Sequence, residues 1–383
     1  MSQGEFRPSR QEAVMFGRPW GSAVAAEVLR LGVRRIFVLA GTTLARMSGL
    51  ERQVQAALGD KLAGFATGIR DHAPREDVIA AAQSARTSKA DFIVAIGGGS
   101  VIDAAKVICL CLAADIRDAD TLGDFVASRH PSLPRDFAVR MAAVPTTLSG
   151  AEFTHFGGAT DTRRKVKEAY AHPCMVPIFV VLDPAITVHT PRRLWLSTGI
   201  RAVDHSVESI CSLSGNPLSD ATAIHALKLL APSLGRTGVA PDDLLARADS
   251  MNGAWLSTIG LQSGVPMGAS HGIGHALGGT AGVPHGETSC VMLPHVLRWN
   301  LPVNADTQAL VSAALGSPTV AASDLIGELV SRLELPTRLR DVGIKQDQFA
   351  GIAAVALHDP WTQANPRPLE SVDSIVGLLE AAW

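Results

Sequence analysis

Apolar residues in the first half of the chain come in short unbroken runs, not in alternation with polar ones. Residues 35–40 (RIFVLA), 91–96 (DFIVAI), 138–144 (AVRMAAV) and 177–182 (PIFVVL) each predict a buried strand. A parallel strand covered on both faces carries apolar side chains on both, which removes the period of two. Helix-like segments at 50–58 and 76–88 separate the first two runs. This βαβα series predicts an open parallel sheet with helices on both faces. After Asp183 and Pro184 the pattern changes to helix upon helix, over 194–213, 219–234, 244–260, 324–333 and 372–382. Pro184 and Pro191 interrupt regular structure there, which places a boundary near residue 185. The expected organisation is an α/β dinucleotide-binding domain over 1–185 and an all-α catalytic domain over 186–383. Residues 115–135, with Pro131 and Pro134, predict a surface excursion before the third strand.

The 383 residues suffice for two such cores, and 47% hydrophobic against 18% charged residues excludes an extended disordered chain. Thirty-four basic and 36 acidic side chains leave a formal charge of −2, so no basic field exists to hold a nucleic acid or an anionic membrane. No apolar run reaches the ~20 residues that span a bilayer. The polar first ten residues lack an apolar signal segment. Five scattered cysteines without a CxxC pair predict buried thiols, Cys109 and Cys111 above all, and a reducing cytoplasmic setting.

Gly97, Gly98, Gly99 and Ser100 follow the second strand and lead into a helix beginning at Val101. Glycines let backbone N–H groups approach a ligand, and a helix N-terminus adds free donors and a positive dipole end. The turn therefore suits a pyrophosphate, although it is neither GxGxxG nor a Walker A loop; the plain alternative is an ordinary βα turn. Thr146, Thr147 and Ser149 follow the third strand, where open α/β sheets bind ligands, and predict one shared crevice. The first strand runs into Ala40, Gly41, Thr42 and Thr43 without the carboxylate that commonly holds an adenosine ribose. NADH and NADPH both stay open.

The helical half carries His205, then His271 and His275 four residues apart on one helix face, then His285 before Gly286. Imidazoles converging among small residues suit a divalent metal or proton transfer.

These motifs, in this order, resemble the iron-containing (group III) alcohol dehydrogenase family over nearly the whole chain. The matching positions are Gly97–Ser100 with Asp103, Pro145–Thr147 with Gly150 and Glu152, Asp183-Pro184 and Gly199–Glu208, then His271–His275, Pro284–Gly286, Leu293–His295 and Asn300. The resemblance implies a dehydroquinate synthase-like fold, a cleft between two domains, hydride transfer between NAD(P) and a carbonyl or alcohol, and a homodimer. It also implies a metal held by one aspartate and three histidines. Here His205, His271 and His285 match the histidines, but Arg201 stands at the aspartate position. A guanidinium is always charged and cannot ligate a cation, so the metal is expected to be absent. Asp204, next to His205, is expected to point about 100° away.

That departure resembles the maleylacetate reductase branch, as do GAWL at 253–256, HALGGT at 275–280 and NPRPLE at 365–370. The branch implies metal-independent reduction of maleylacetate or a related unsaturated keto acid, in the degradation of aromatic compounds. Arg201 with His205 would then hold a carboxylate or polarise a carbonyl; the plain alternative is a salt bridge to Asp204 or Glu208. His271 and His275 are the candidate acids. Lys165, in the basic cluster after Asp161, fits the family lysine that reaches the cofactor or substrate. The small-molecule substrate is expected to be a carboxylated carbonyl compound. A metal-dependent alcohol or aldehyde dehydrogenase, and a non-catalytic NAD(P)-binding relative, are the competing readings.

Overall fold

The computed structural model describes residues 6, 8–164 and 166–383, without the side chain of Ser48. Two compact units emerge, Pro8–Thr190 and Pro191–Trp383. The first is built on eight strands: β1 (Ala13–Phe16), β2 (Ile36–Ala40), β3 (Leu62–Ala66), β4 (Phe92–Gly97), β5 (Arg140–Pro145), β6 (Phe156–Asp161), β7 (Val166–Ala171) and β8 (Phe179–Leu182). Six of them form a parallel sheet in the order β1-β8-β5-β4-β2-β3, while β6 and β7 pair as an antiparallel hairpin. β2 and β4 are buried at every residue, as their unbroken apolar runs require. Ile36, Val38, Ala40, Val94, Ile96, Val144 and Val181 pack with Val24 and Val28 of the helix Trp20–Arg30 and Leu50 and Val54 of the helix Leu50–Leu58. Phe37, Leu39, Ile93 and Ala95 point to the other face, where the helices Arg75–Thr87 and Gly99–Ala113 pack. Cys109 and Cys111 lie within the latter helix, and burial pushes both thiols up to about 12.

The sequence pattern missed β1 and β3, the two outermost strands, and the β6–β7 hairpin. The second unit is helical, with the helix Arg192–Cys211 buried from Trp195 to Cys211. Helices Pro217–Val239, Leu244–Ser257, Ala269–Ala281 and His285–Ala314 follow it, then Ala322–Arg332, Phe349–Ala356 and Val372–Ala381. The longest, His285–Ala314, went unpredicted because Pro294 and Pro302 break its pattern, and its backbone leaves helical geometry at Asn304. A helix buried all round should be apolar. Arg192–Cys211 instead carries Arg201, Asp204, His205 and Glu208 inward, and such groups are costly unless they meet partners.

Candidate active site

Gly98 begins the helix Gly99–Ala113 in extended backbone and supplies no side-chain cap, so the turn presents backbone donors. A Cβ at Gly98 would lie 3.0 Å from Thr147 Cγ2, and one at Gly99 would lie 3.0 Å from Ser149 Oγ. The Thr146 amide donates to the Gly97 carbonyl at 3.0 Å. The two predicted turns therefore line one cradle, and the glycines keep it open. Ser100 Oγ accepts the His72 amide at 3.1 Å. His72 and Ala73 are consecutive left-handed residues (φ 62° and 49°), a strained conformation of the kind held at ligand clamps.

Lys165 lies outside the described residues. Lys167, two residues on in β7, sends its ammonium to 3.2 Å from Asp103 Oδ2 on the glycine-turn helix. Its stem crosses Gly158, where any Cβ would strike it. Behind the cradle, burial lowers Lys106 to about 8 and raises Glu152 to about 7. Lys106 Nζ donates to Thr154 Oγ1 at 3.0 Å and the Phe156 carbonyl at 2.8 Å.

In the second unit, the helices Arg192–Cys211 and Ala269–Ala281 bring His205 and His271 into ring contact, with centroids 4.8 Å apart. His271 is fully buried, its Nδ1 2.7 Å from Glu208 Oε2 and 3.4 Å from Asp204 Oδ2. Glu208 also accepts the Gly268 and Ser270 amides, each at 2.8 Å, and Asp204 accepts the Ser270 hydroxyl at 2.8 Å. Asp204 thus faces His271 on the neighbouring helix, and both carboxylates join the centre. Arg201 is 7% exposed; its guanidinium donates to Ser289 Oγ at 3.1 Å and stands 3.9 Å from Asp204.

Burial and the Arg201 charge work against a protonated His271, yet the two carboxylates prevail and raise its pKa above the ordinary value. His205 lies well below that value, through burial first and then the charges of His271 and Arg201. Burial disfavours ionised Asp204, but His271 and Arg201 outweigh it and hold the carboxyl low. His205 Nδ1, His271 Nε2 and Asp204 Oδ1 are buried without a hydrogen-bond partner.

His275, one turn beyond His271, is 37% exposed, and its Nδ1 lies 2.9 Å from Asp359 Oδ2. Trp361 meets both imidazoles, with centroids 5.4 Å from His271 and 4.7 Å from His275. His285 stands against His275 at 5.9 Å. Among the described residues, the donor atoms that lie together within 4.8 Å belong to Asp204, Glu208 and His271, not to the three histidines that the sequence suggested. That set does not fit a divalent ion: Glu208 already accepts two amides, and a buried guanidinium stands beside Asp204. Sequence reasoning missed Glu208, Asp359 and Trp361 as site residues, because their partners lie 63 to 90 positions away. The DPW and NPRPLE stretch was the one available signal for the last two.

Residues 11–184 match the family described as iron-containing alcohol dehydrogenase, and residues 195–383 match the Fe-containing alcohol dehydrogenase family, C-terminal. The chain is similar to Dehydrogenase FUM7 of Gibberella moniliformis, at 35% identity over 96% of this chain and 95% of that one. It is similar to Maleylacetate reductase 1 of Cupriavidus pinatubonensis, at 31% identity over 97% and 94%. Among solved structures, maleylacetate reductase from Agrobacterium tumefaciens superposes with a TM-score of 0.83 at 27% identity, over 100% of this chain and 99% of that one.

Proposed function

The chain belongs to the iron-containing alcohol dehydrogenase family and is an oxidoreductase, and we propose that it is a metal-independent, NAD(P)H-dependent reductase of maleylacetate or a related unsaturated keto acid. The observation that carries this reading is Arg201, a permanent cation buried among Asp204, His205, His271 and Ser289. A guanidinium in that place repels a divalent ion and attracts a carboxylate or a developing oxyanion. The names of relatives at 31% identity point to the same substrate class.

Gly98, Gly99, Thr146, Thr147, Ser149 and Lys167 would hold the dinucleotide, with backbone donors and one ammonium directed to its phosphates. When bound, the reduced nicotinamide supplies a hydride. Hydride addition to one carbon of the conjugated double bond collects negative charge on the carbonyl oxygen. Arg201 stabilises that charge and orients the carboxylated substrate. His271, whose protonated form Asp204 and Glu208 favour, donates through Nε2 to complete the reduction. His205 stays neutral and packs the imidazole in place. His275 is held by Asp359, but burial first, then the Arg201 and His271 charges, keep its pKa below the ordinary value, so it is the poorer acid.

The test is NADH and NADPH oxidation against a panel of carboxylated and simple carbonyl compounds, with metal content measured on protein purified without chelator. The wild type should turn over unsaturated keto acids, keep activity in chelator and carry no stoichiometric metal. Arg201→Asp should lose roughly 100-fold or more in dicarboxylate turnover and gain affinity for Fe²⁺ or Zn²⁺. Stoichiometric metal with chelator-sensitive activity would overturn the proposal in favour of a metal-dependent alcohol or aldehyde dehydrogenase. NAD(P)H binding without turnover would mark a non-catalytic relative.

A further inference from the structure

We infer that Glu208 is a positioning residue: it caps the helix Ala269–Ala281 from a neighbouring helix and, through the same carboxylate, fixes His271 as the Nδ1–H tautomer with Nε2 as the working atom. The inference rests on His271 being the proton donor proposed above.

The helix begins at Gly268, which has no side chain to satisfy the first amides. None could be accommodated: a Cβ at Gly268 would lie 2.9 Å from Glu208 Oε1 and 3.1 Å from Asn365 Oδ1. The capping oxygens therefore come from elsewhere. Glu208 Oε2 accepts the Gly268 amide and Oε1 the Ser270 amide, both at 2.8 Å, while Asn365 Oδ1 accepts the Ala269 amide at 3.2 Å. Asn365 is itself locked in a reciprocal amide pair with Asn300, at 3.0 and 2.7 Å.

His271 occupies the first turn of this helix, and its Nδ1 lies 2.7 Å from the same Glu208 Oε2. An ionised carboxylate only accepts hydrogen bonds, so the proton must sit on Nδ1 of the neutral imidazole. Nε2 is then left as the exchangeable position, and that atom is the one buried without a partner. One carboxylate thus joins the start of the helix to the chemistry of the ring, and a shift of either disturbs both. Glutamine at 208 would offer one acceptor to three donors. Its amide would satisfy the site best by donating to Nδ1, which moves the ring proton to Nε2.

Nitrogen-15 NMR of histidine-labelled protein tests this, with His271→Asn used for assignment and a pH series extended to about 9 so that the neutral ring is seen. Wild-type His271 should show a protonated Nδ1 and an unprotonated Nε2. Glu208→Gln should transfer the proton to Nε2 and lower kcat by about 10- to 100-fold while KM changes less than about threefold. Wild-type His271 in the Nε2–H tautomer would overturn the inference even if the Gln variant fails to fold, and so would a folded Gln variant that keeps Nδ1–H. The NMR result stands apart from turnover. An Nδ1–H ring in a protein inactive on every keto acid would uphold the positioning role and sink the proposed reaction.

Discussion

His205 and His271 show how one pair of rings is split by its surroundings. Burial acts on both, but only His271 meets two carboxylates, so their pKa values move in opposite directions. His271 remains an acid up to its raised pKa, above the ordinary ~6.5, and the role is lost as pH rises through it. Arg201 lowers that pKa by its charge. Arg201→Gln should therefore move the alkaline limb of the kcat profile to higher pH. Measured at saturating substrate, a limb that stays or falls would remove the guanidinium from His271's electrostatics. Stability carries the opposite sign at His205. Its folded pKa is depressed, so its contribution is complete above the unfolded value near ~6.5 and declines as pH falls below it. His205→Asn should flatten that decline in denaturant midpoints measured between about pH 7 and 5, and an unchanged slope would place the acid sensitivity elsewhere. The histidines were legible in the sequence through their clustering and spacing, and Arg201 because it stands where the resembled family has an aspartate. Glu208 and Asp359 were not, since a hydrogen bond across 63 or 84 positions leaves no local spacing to read.

At the scale of elements, legibility followed burial. β2, β4, β5 and β8 lie inside the sheet, and their apolar runs announced them. β1 and β3 are outermost and only partly buried; their apolar stretches, AVMF and a five-residue LAGFA broken by Gly64, are too short to stand out from the flanking sequence. The β6–β7 hairpin was hidden by its charge: a basic cluster follows Asp161 in the sequence, yet Arg164 pairs with Glu168 and Lys167 reaches Asp103. Gly158 makes that reach possible. Because the obstructed atoms belong to a flexible side chain, Gly158→Ala should cost less than about 1 kcal/mol of stability while displacing Lys167 from Asp103. The expected outcome is a KM for NAD(P)H raised several-fold with kcat nearly unchanged. A cofactor KM within error of wild type would mean that Lys167 serves the hairpin alone. Gly97 is stricter, since a Cβ there would lie 2.9 Å from Val101 Cγ2 within the strand-to-helix turn. Overpacking at such a site costs about 1–3 kcal/mol.

Over the whole molecule, the chemistry is divided between two cores. The residues assigned to the dinucleotide lie in Pro8–Thr190, and the guanidinium, imidazoles and carboxylates assigned to proton transfer lie in Pro191–Trp383. Each set is fixed by contacts within its own unit: Thr147 and Ser149 against the glycine turn, Glu208 and Asp204 against His271. Dinucleotide affinity and acid chemistry should then be separable by mutation. Gly98→Val adds three carbons beside Thr147, the first already 3.0 Å from its Cγ2, and should weaken NAD(P)H binding at least about tenfold. Arg201→Asp should leave the dissociation constant within about twofold, even as turnover collapses. Saturating cofactor reports the difference, because ligand at 100 times its Kd stabilises the folded state by about 2.7 kcal/mol. Thermal or denaturant unfolding with and without NADH should show that increment in wild type and Arg201→Asp, and show it reduced at the same NADH concentration in Gly98→Val. An Arg201 variant that folds but gains no stability from NADH would mean that the guanidinium belongs to the nucleotide site, and the division of labour between the two units would fail.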